Sequence, residues 1–165
     1  MIRIGFGFDV HPLVDNTPFT LGGIVIPHHK GASGHSDADT LIHAICDALL
    51  GAANLGDIGM HFPDSDSSLK GIDSKILLKK VIQLIAQKGY RIVNMDTTVC
   101  LQQPKIRPYI PQMQETLAQV MSIPADDISI KATTTEKLGF TGREEGVSAY
   151  AVVLIEKDFD PDSGR

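Results

Sequence analysis

Asp9 and His11 stand two residues apart after a short β-like run, so both side chains point to the same side of the chain. His43, within a helical pattern further on, could complete the group. Three nitrogen or oxygen donors with a vacant fourth position is the arrangement of a catalytic zinc site, whereas four protein donors would make a structural one. Asp-x-His pairs also arise by chance, and a lone helix histidine is commonly an exposed or core residue. Cys46, three residues beyond His43, is a rival ligand, but its place beside Ile45 favours a buried thiol.

Three further stretches carry polar chemistry. In GHSDAD, His35 and Ser36 precede a helix, where free backbone N–H groups and the helix dipole favour an anion; simple capping by Ser36 or Asp37 is the plainer alternative. Residues 131–143, KATTTEKLGFTGR, supply hydroxyls and backbone N–H groups from three threonines, a hard oxygen ligand suited to Mg²⁺ in Glu136, and close backbone approach at Gly139 and Gly142. A β-edge followed by a polar turn would have the same composition. In DIGMHFPDSD, Asp57, Asp64 and Asp66 could accept hydrogen bonds from a sugar or polyol, or form only a solvated acidic loop.

The elements that must position these groups follow from periodicity. Residues 2–6 and 20–26 read as an opening strand pair joined by a turn-rich HPLVDNTP. Residues 37–50 read as a helix capped by Ser36 or Asp37 and stopped by Gly51. Leu41, Ile45 and Leu49 form its apolar stripe, and Asp39, His43 and Asp47 a polar stripe at the same spacing. A loop follows, then a helix over 74–88 capped by Ser74, a strand over 90–101, a QQPKIRP turn and a helix over 111–121. Strands over 128–132 and 147–155 complete an α+β pattern with helices on one face of a mixed sheet. Residues 147–155 are apolar at nearly every position, as in a strand covered on both faces, and a neighbouring subunit is the natural second cover in so small a domain.

Composition narrows the partners. The 165 residues fit one domain, taken as 1–158, with a charged tail at 159–165. A net charge of −5 and the lack of basic runs argue against nucleic acid. An anionic phosphate substrate would therefore need positive charge gathered locally, from metals, helix N-termini or a few Lys and Arg. No apolar run approaches the ~20 residues of a membrane span, which argues against a membrane partner. The N-terminus lacks the pattern of a signal peptide, and two cysteines in apolar runs suit reduced thiols in a cytoplasmic protein.

The motifs FDVH, GHSDAD, ALLGAANLGDIG, FPDSD, QPK, IPQM and KATTTEKLGFTGR occur in an order and spacing that resembles the 2-C-methyl-D-erythritol 2,4-cyclodiphosphate synthase family, over residues 2 to 157. The resemblance implies a homotrimer of α+β subunits, each a two-layer sandwich, with active sites between neighbours. It implies metal-dependent cyclisation of 4-diphosphocytidyl-2-C-methyl-D-erythritol 2-phosphate with release of CMP, in non-mevalonate isoprenoid synthesis. By the same resemblance Asp9, His11 and His43 bind Zn²⁺, Glu136 helps hold Mg²⁺ or Mn²⁺ on the diphosphate, and His35 and Thr134 are the catalytic pair. His35, Ser36, Thr134 and Thr135 would surround the phosphates. Asp57, Ile58, Gly59 and the loop Phe62, Pro63, Asp64, Ser65, Asp66 would meet the methylerythritol. Leu101, Gln102, Gln103, Pro104, Lys105, Ile106 and Arg107, with Ala132, Thr133 and Thr134, would enclose the cytidine.

Phe140, Arg143 and Glu145 are implied near a trimer-axis cavity that could hold an isoprenoid diphosphate. Glu144, standing where glycine is common, adds negative charge there, and Phe6 replaces a frequent histidine. Ile106 and Arg107 vary the cytidine pocket wall. A zinc-dependent phosphohydrolase and a non-catalytic trimeric isoprenoid-binding module are the competing readings.

Overall fold

A computed structural model describes residues 1–157, so the expected tail at 159–165 lies outside the described residues. In chain order the elements are β1 (Ile2–Asp15), β2 (Phe19–Leu21), β3 (Ile24–Ile26), β4 (Lys30–Ala32), α1 (Thr40–Ala52), α2 (Ile58–His61), α3 (Ser74–Gln87), β5 (Arg91–Cys100), α4 (Ile110–Met121), β6 (Ile128–Thr133), α5 (Gly139–Gly142) and β7 (Gly146–Glu156). The five-stranded sheet runs β4-β1-β7-β5-β6, and β5–β6 is its parallel pair. This is the expected α+β arrangement with a mixed sheet.

β1 decides how close the helical layer comes. Its inward positions include Gly5 and Gly7, while Ile2, Ile4, Phe6, Phe8 and Val10 point away from the helices and are exposed. A Cβ at Gly5 would lie 1.9 Å from the Ala48 carbonyl oxygen, and one at Gly7 would lie 1.9 Å from that of Ala44. The absence of side chains at both positions thus lets α1 lie directly on the strand. Leu41, Ile42, Ile45, Leu49 and Leu50 are fully buried on this helix, packed with Leu78 and Val81 of α3 and Val147, Ala149, Ala151 and Val153 of β7. Each fully buried Leu or Ile contributes about 1.5–3 kcal/mol of transfer free energy.

The other face of the sheet is apolar and open. Ile4 is 71% and Phe6 64% exposed, and Val152 of β7 lies on the same uncovered side. The Phe8 and Tyr150 rings pack together with centroids 5.1 Å apart. Among the described residues, the strand read as needing two covers therefore has one.

Local expectations fail where tertiary pairing or an alternative cap wins. β1 does not stop at residue 6; its first part pairs with β7 as far as Pro12↔Gly146, and Leu13 onward pairs with β4. Pairing on both sides holds a turn-rich sequence extended. Residues 20–26 do not pair with β1 but fold on themselves as the β2–β3 hairpin, whose Gly22 and Gly23 both have positive φ, the backbone of a type I′ turn. α1 begins at Thr40 with Asp39 as N-cap and runs past Gly51 to Ala52, and α3 is capped by Asp73.

Candidate active site

The polar stripe of α1 is fully used, each member by a different neighbour. Asp39 is completely buried and accepts from the backbone N–H groups of Gly22 at 2.9 Å, Gly23 at 2.6 Å and Ile42 at 3.0 Å, tying the hairpin turn to the helix start. Burial pushes its carboxyl above the ordinary value, and these three donors pull it partly back. Asp47 accepts from the Ile58 N–H at 2.8 Å and so holds the start of α2 against α1. Between them, one turn from each, His43 faces β1.

There it meets Asp9 and His11, whose side chains share the inward face with Gly5 and Gly7. Asp9 Oδ2 lies 3.0 Å from His11 Nε2 and 3.1 Å from His43 Nδ1, and the two ring nitrogens are 3.2 Å apart. Donors about 2.0–2.1 Å from a tetrahedral zinc ion stand roughly 3.3 Å from one another, so this near-equilateral triangle fits one face of such a site. The residues are half-buried, leaving the fourth direction toward the cavity. Cys46 is fully buried in the core, where burial pushes its thiol well above the ordinary value, and it is not part of the cluster.

The electrostatics follow from the same contacts. Burial is the largest influence on Asp9 and acts to raise its pKa, but hydrogen bonds and charge from His11 and His43 together outweigh it, leaving the carboxyl below its ordinary value. Burial likewise acts to lower His11, yet Asp9, the Ser33 carbonyl and Asp39 outweigh it and leave the imidazole raised.

A cavity of about 450 Å³ opens over the triad. His35, Ser36, Ile58, Gly59, Phe62, Pro63 and Asp64 line it, which brings together most of the residues expected around phosphate and methylerythritol. Asp57, Ser65 and Asp66 do not line it. The Asp57 carboxylate caps α2 through the Met60 N–H at 2.9 Å, and Asp66 accepts from the Ser68 N–H at 2.9 Å and hydroxyl at 2.7 Å. The Asp66 carbonyl also stands 3.1 Å from His35 Nε2, holding that ring at the cavity rim.

The second group of expected residues lies elsewhere on the chain. Leu101, Pro104, Lys105, Ile106, Arg107, Ala132, Thr133 and Thr134 line a separate pocket of about 140 Å³, with Gln102 and Gln103 outside its wall. Beyond β6, Thr134 Oγ1 donates to Glu136 Oε1 at 3.1 Å, and Thr135 Oγ1 donates to the Leu138 carbonyl at 2.7 Å. Glu136 and its neighbour Lys137 both have positive φ, at 52° and 65°. Two successive side-chain-bearing residues in that region are a strained arrangement of the kind that clusters at ligand sites. Arg143 is engaged by Glu145 through two contacts of 3.0 Å.

Glu136 does not reach the triad within one chain. Asp9 pairs with Ala149, Ala149 with Val99 and Val99 with Ala132, so Asp9 and Ala132 occupy one row of the sheet. Three strand spacings, roughly 14 Å, separate them.

A family model described as the YgbB family matches residues 2–156. The chain belongs to the YgbB family. Among its relatives, a 2-C-methyl-D-erythritol 2,4-cyclodiphosphate synthase of Bacteroides thetaiotaomicron is 68% identical over 95% of this chain and 99% of its own length. One of the same name from Syntrophobacter fumaroxidans is 56% identical over 95% of this chain and 99% of its length. A solved 2C-methyl-D-erythritol-2,4-cyclodiphosphate synthase with bound CDP superimposes with a TM-score of 0.86 at 37% identity, over 93% of this chain and all of the other. A bifunctional protein from Campylobacter jejuni gives a TM-score of 0.92 at 42% identity over 97% of this chain, which spans 43% of that longer protein. The YgbB fold and its metal-type triad are thus present together. Sequence reasoning took Asp37 and Ser74 only as helix caps, whereas the Ser74 hydroxyl stands directly behind His43 and the Asp37 carboxylate behind Ser74.

Proposed function

We propose that this chain is a metal-dependent cyclising lyase that converts 4-diphosphocytidyl-2-C-methyl-D-erythritol 2-phosphate to 2-C-methyl-D-erythritol 2,4-cyclodiphosphate and CMP, acting in the cytoplasm. In the reaction, the substrate's own 2-phosphate oxygen attacks its β-phosphorus. The bond from that phosphorus to the bridging oxygen breaks, and CMP leaves with the oxygen. Neither water nor a protein nucleophile enters, so the protein's work is positioning and charge stabilisation. The near-equilateral triad beneath a cavity lined by His35, Ser36 and Asp64 carries this reading, together with relatives of that name at 56–68% identity.

Zn²⁺ held by Asp9, His11 and His43 would supply a Lewis acid for the phosphate oxygens, and Mg²⁺ or Mn²⁺ held through Glu136 would neutralise the diphosphate. His35 and Ser36 present N–H and hydroxyl donors at the cavity rim, and Asp64 offers a carboxylate to the hydroxyls of the methylerythritol. Thr134 and Thr135 present hydroxyls beside Glu136. Leu101, Pro104 to Arg107 and Ala132 to Thr134 form a slot suited to a pyrimidine base; CDP occupies a solved relative.

The site is assembled between subunits of a homotrimer. Support comes from the strand spacings between triad and Glu136, and from the open apolar face of β1 and β7, which a second copy would cover. An isoprenoid diphosphate on the trimer axis would have to draw Arg143 from Glu145.

Phosphorus NMR of the chain with the cytidyl substrate and Mg²⁺ tests the activity. Paired cyclic-diphosphate resonances with stoichiometric CMP, lost on chelation of zinc, are expected; free phosphate would point to a hydrolase, and no turnover to a binding module.

A further inference from the structure

The Nδ1 edge of His43 faces Asp9 and His11, but its opposite nitrogen is also engaged. Nε2 lies 2.9 Å from the Ser74 hydroxyl and 3.1 Å from that of Ser36. Ser74 is completely buried, and because Asp73 caps α3 through the Lys75 N–H, the Ser74 side chain has no capping duty. Asp37 grips it twice: Oδ2 accepts the Ser74 backbone N–H at 3.0 Å, and Oδ1 accepts the hydroxyl proton in a short contact. Asp37 is itself anchored, with its own N–H on the Ile72 carbonyl at 3.1 Å and the Asp39 N–H on Oδ1 at 3.2 Å.

A hydroxyl has one proton. With that proton committed to Asp37, Ser74 Oγ can offer His43 only lone pairs, so Nε2 must carry the hydrogen. A neutral imidazole then has its free lone pair on Nδ1, the atom that faces Asp9 and His11. His11 is set the same way by a simpler partner: its Nδ1 lies 3.1 Å from the Ser33 carbonyl, leaving Nε2 as the nitrogen whose lone pair a metal would take. Partners on the far nitrogen of a metal-ligating histidine fix ring orientation and raise ligand basicity.

We propose that Asp37 and Ser74 form a positioning relay that holds His43 as the Nε2–H tautomer and presents its Nδ1 lone pair to the metal. The relay rests on the metal-site reading above. It also leaves the Ser36 hydroxyl, which accepts the Ala38 N–H at 3.2 Å, with a proton to turn toward the cavity.

The test has two readouts besides activity. In the metal-free wild-type protein, long-range proton–nitrogen correlation spectra of the imidazoles at neutral pH should show His43 protonated at Nε2, whatever Asp9 does at Nδ1. Ser74→Ala should shift that ring to a mixture of tautomers and raise the zinc dissociation constant about 10–100-fold, measured by competition with a chromophoric chelator. Asp37→Asn, which keeps the residue's size, should move both readouts in the same direction and serves if Ser74→Ala does not fold by circular dichroism. His43 bare at Nε2 in the wild type, or an unchanged zinc constant in folded variants, would overturn the relay. A wild-type chain that binds no zinc would overturn the metal-site reading instead, and the tautomer measurement would still decide the relay.

Discussion

The two halves of the proposed site are built in opposite ways. The triad sits where α1 is pressed onto β1, its members half-buried and fixed within 3.0–3.2 Å of one another by a fully packed core. Half-buried Thr134 and Thr135 and exposed Glu136 lie on a turn at the far edge of the sheet, held by contacts within the turn itself. The first half is complete in one chain, and in the proposed site the second would become useful only when a neighbour's triad comes to it. On that proposal, packing would set the geometry of one metal, and association the distance to the other.

The comparison breaks most sharply at the triad. Asp9→Ala or His43→Ala should abolish zinc binding and cost on the order of 10³-fold or more in turnover, since several kcal/mol of charge stabilisation goes with the metal. Circular dichroism and light scattering should still report a folded trimer, because the core of Leu41, Ile45, Leu49 and Val153 does not depend on the metal. Loss of the fold would make the zinc structural.

Glu136→Gln should act on turnover alone, with a loss on the order of 100-fold in kcat. Zinc content should be unchanged and stability should stay within about 0.5 kcal/mol, as for an exposed residue. Gly7→Ala should do the reverse. Its added methyl meets the Ala44 carbonyl, so α1 must shift, costing about 1–3 kcal/mol of stability by chemical denaturation. Because His43 rides on α1, zinc affinity should fall with it.

The smallest effect is the pH response of the metal-free chain. Asp9, depressed in the fold, contributes stability that is present above its ordinary 3.8 and lost as pH falls through its lower folded value. His11, raised in the fold, contributes stability that is present below its ordinary 6.5 and lost as pH rises through its higher folded value. Melting temperatures of the chelated protein should therefore decline gently above 6.5, while zinc-loaded samples gain over the same range as the metal displaces the His11 proton.

The triad was legible in the sequence because a two-residue strand spacing and a helical polar stripe are local rules, and both hold for Asp9, His11 and His43. Among the cavity residues, His35, Ser36 and Asp64 stood out by their own polar chemistry, and Ile58 came through the motifs that carry the family resemblance. The length of β1 was not legible, because HPLVD looks like a turn until β7 and β4 pair with it. The caps moved from Ser36 or Asp37 to Asp39, and from Ser74 to Asp73; in each place several capping residues stand side by side, and packing chooses among them. That displacement hid Ser74, whose hydroxyl is freed to face His43, and Asp37, which holds Ser74. The separation of Glu136 from the triad depends on sheet order, which no local pattern in the sequence encodes.

The most direct test of a site shared between subunits is complementation. His43→Ala and Glu136→Gln chains, each nearly inactive alone, are unfolded together, refolded as mixed trimers and assayed for CMP release. If triad and Glu136 come from neighbouring subunits, random assembly restores about a quarter of the wild-type sites, and activity should rise to about that level. Activity no higher than the mean of the two variants, with mixed trimers verified by native mass spectrometry, would contradict the shared site.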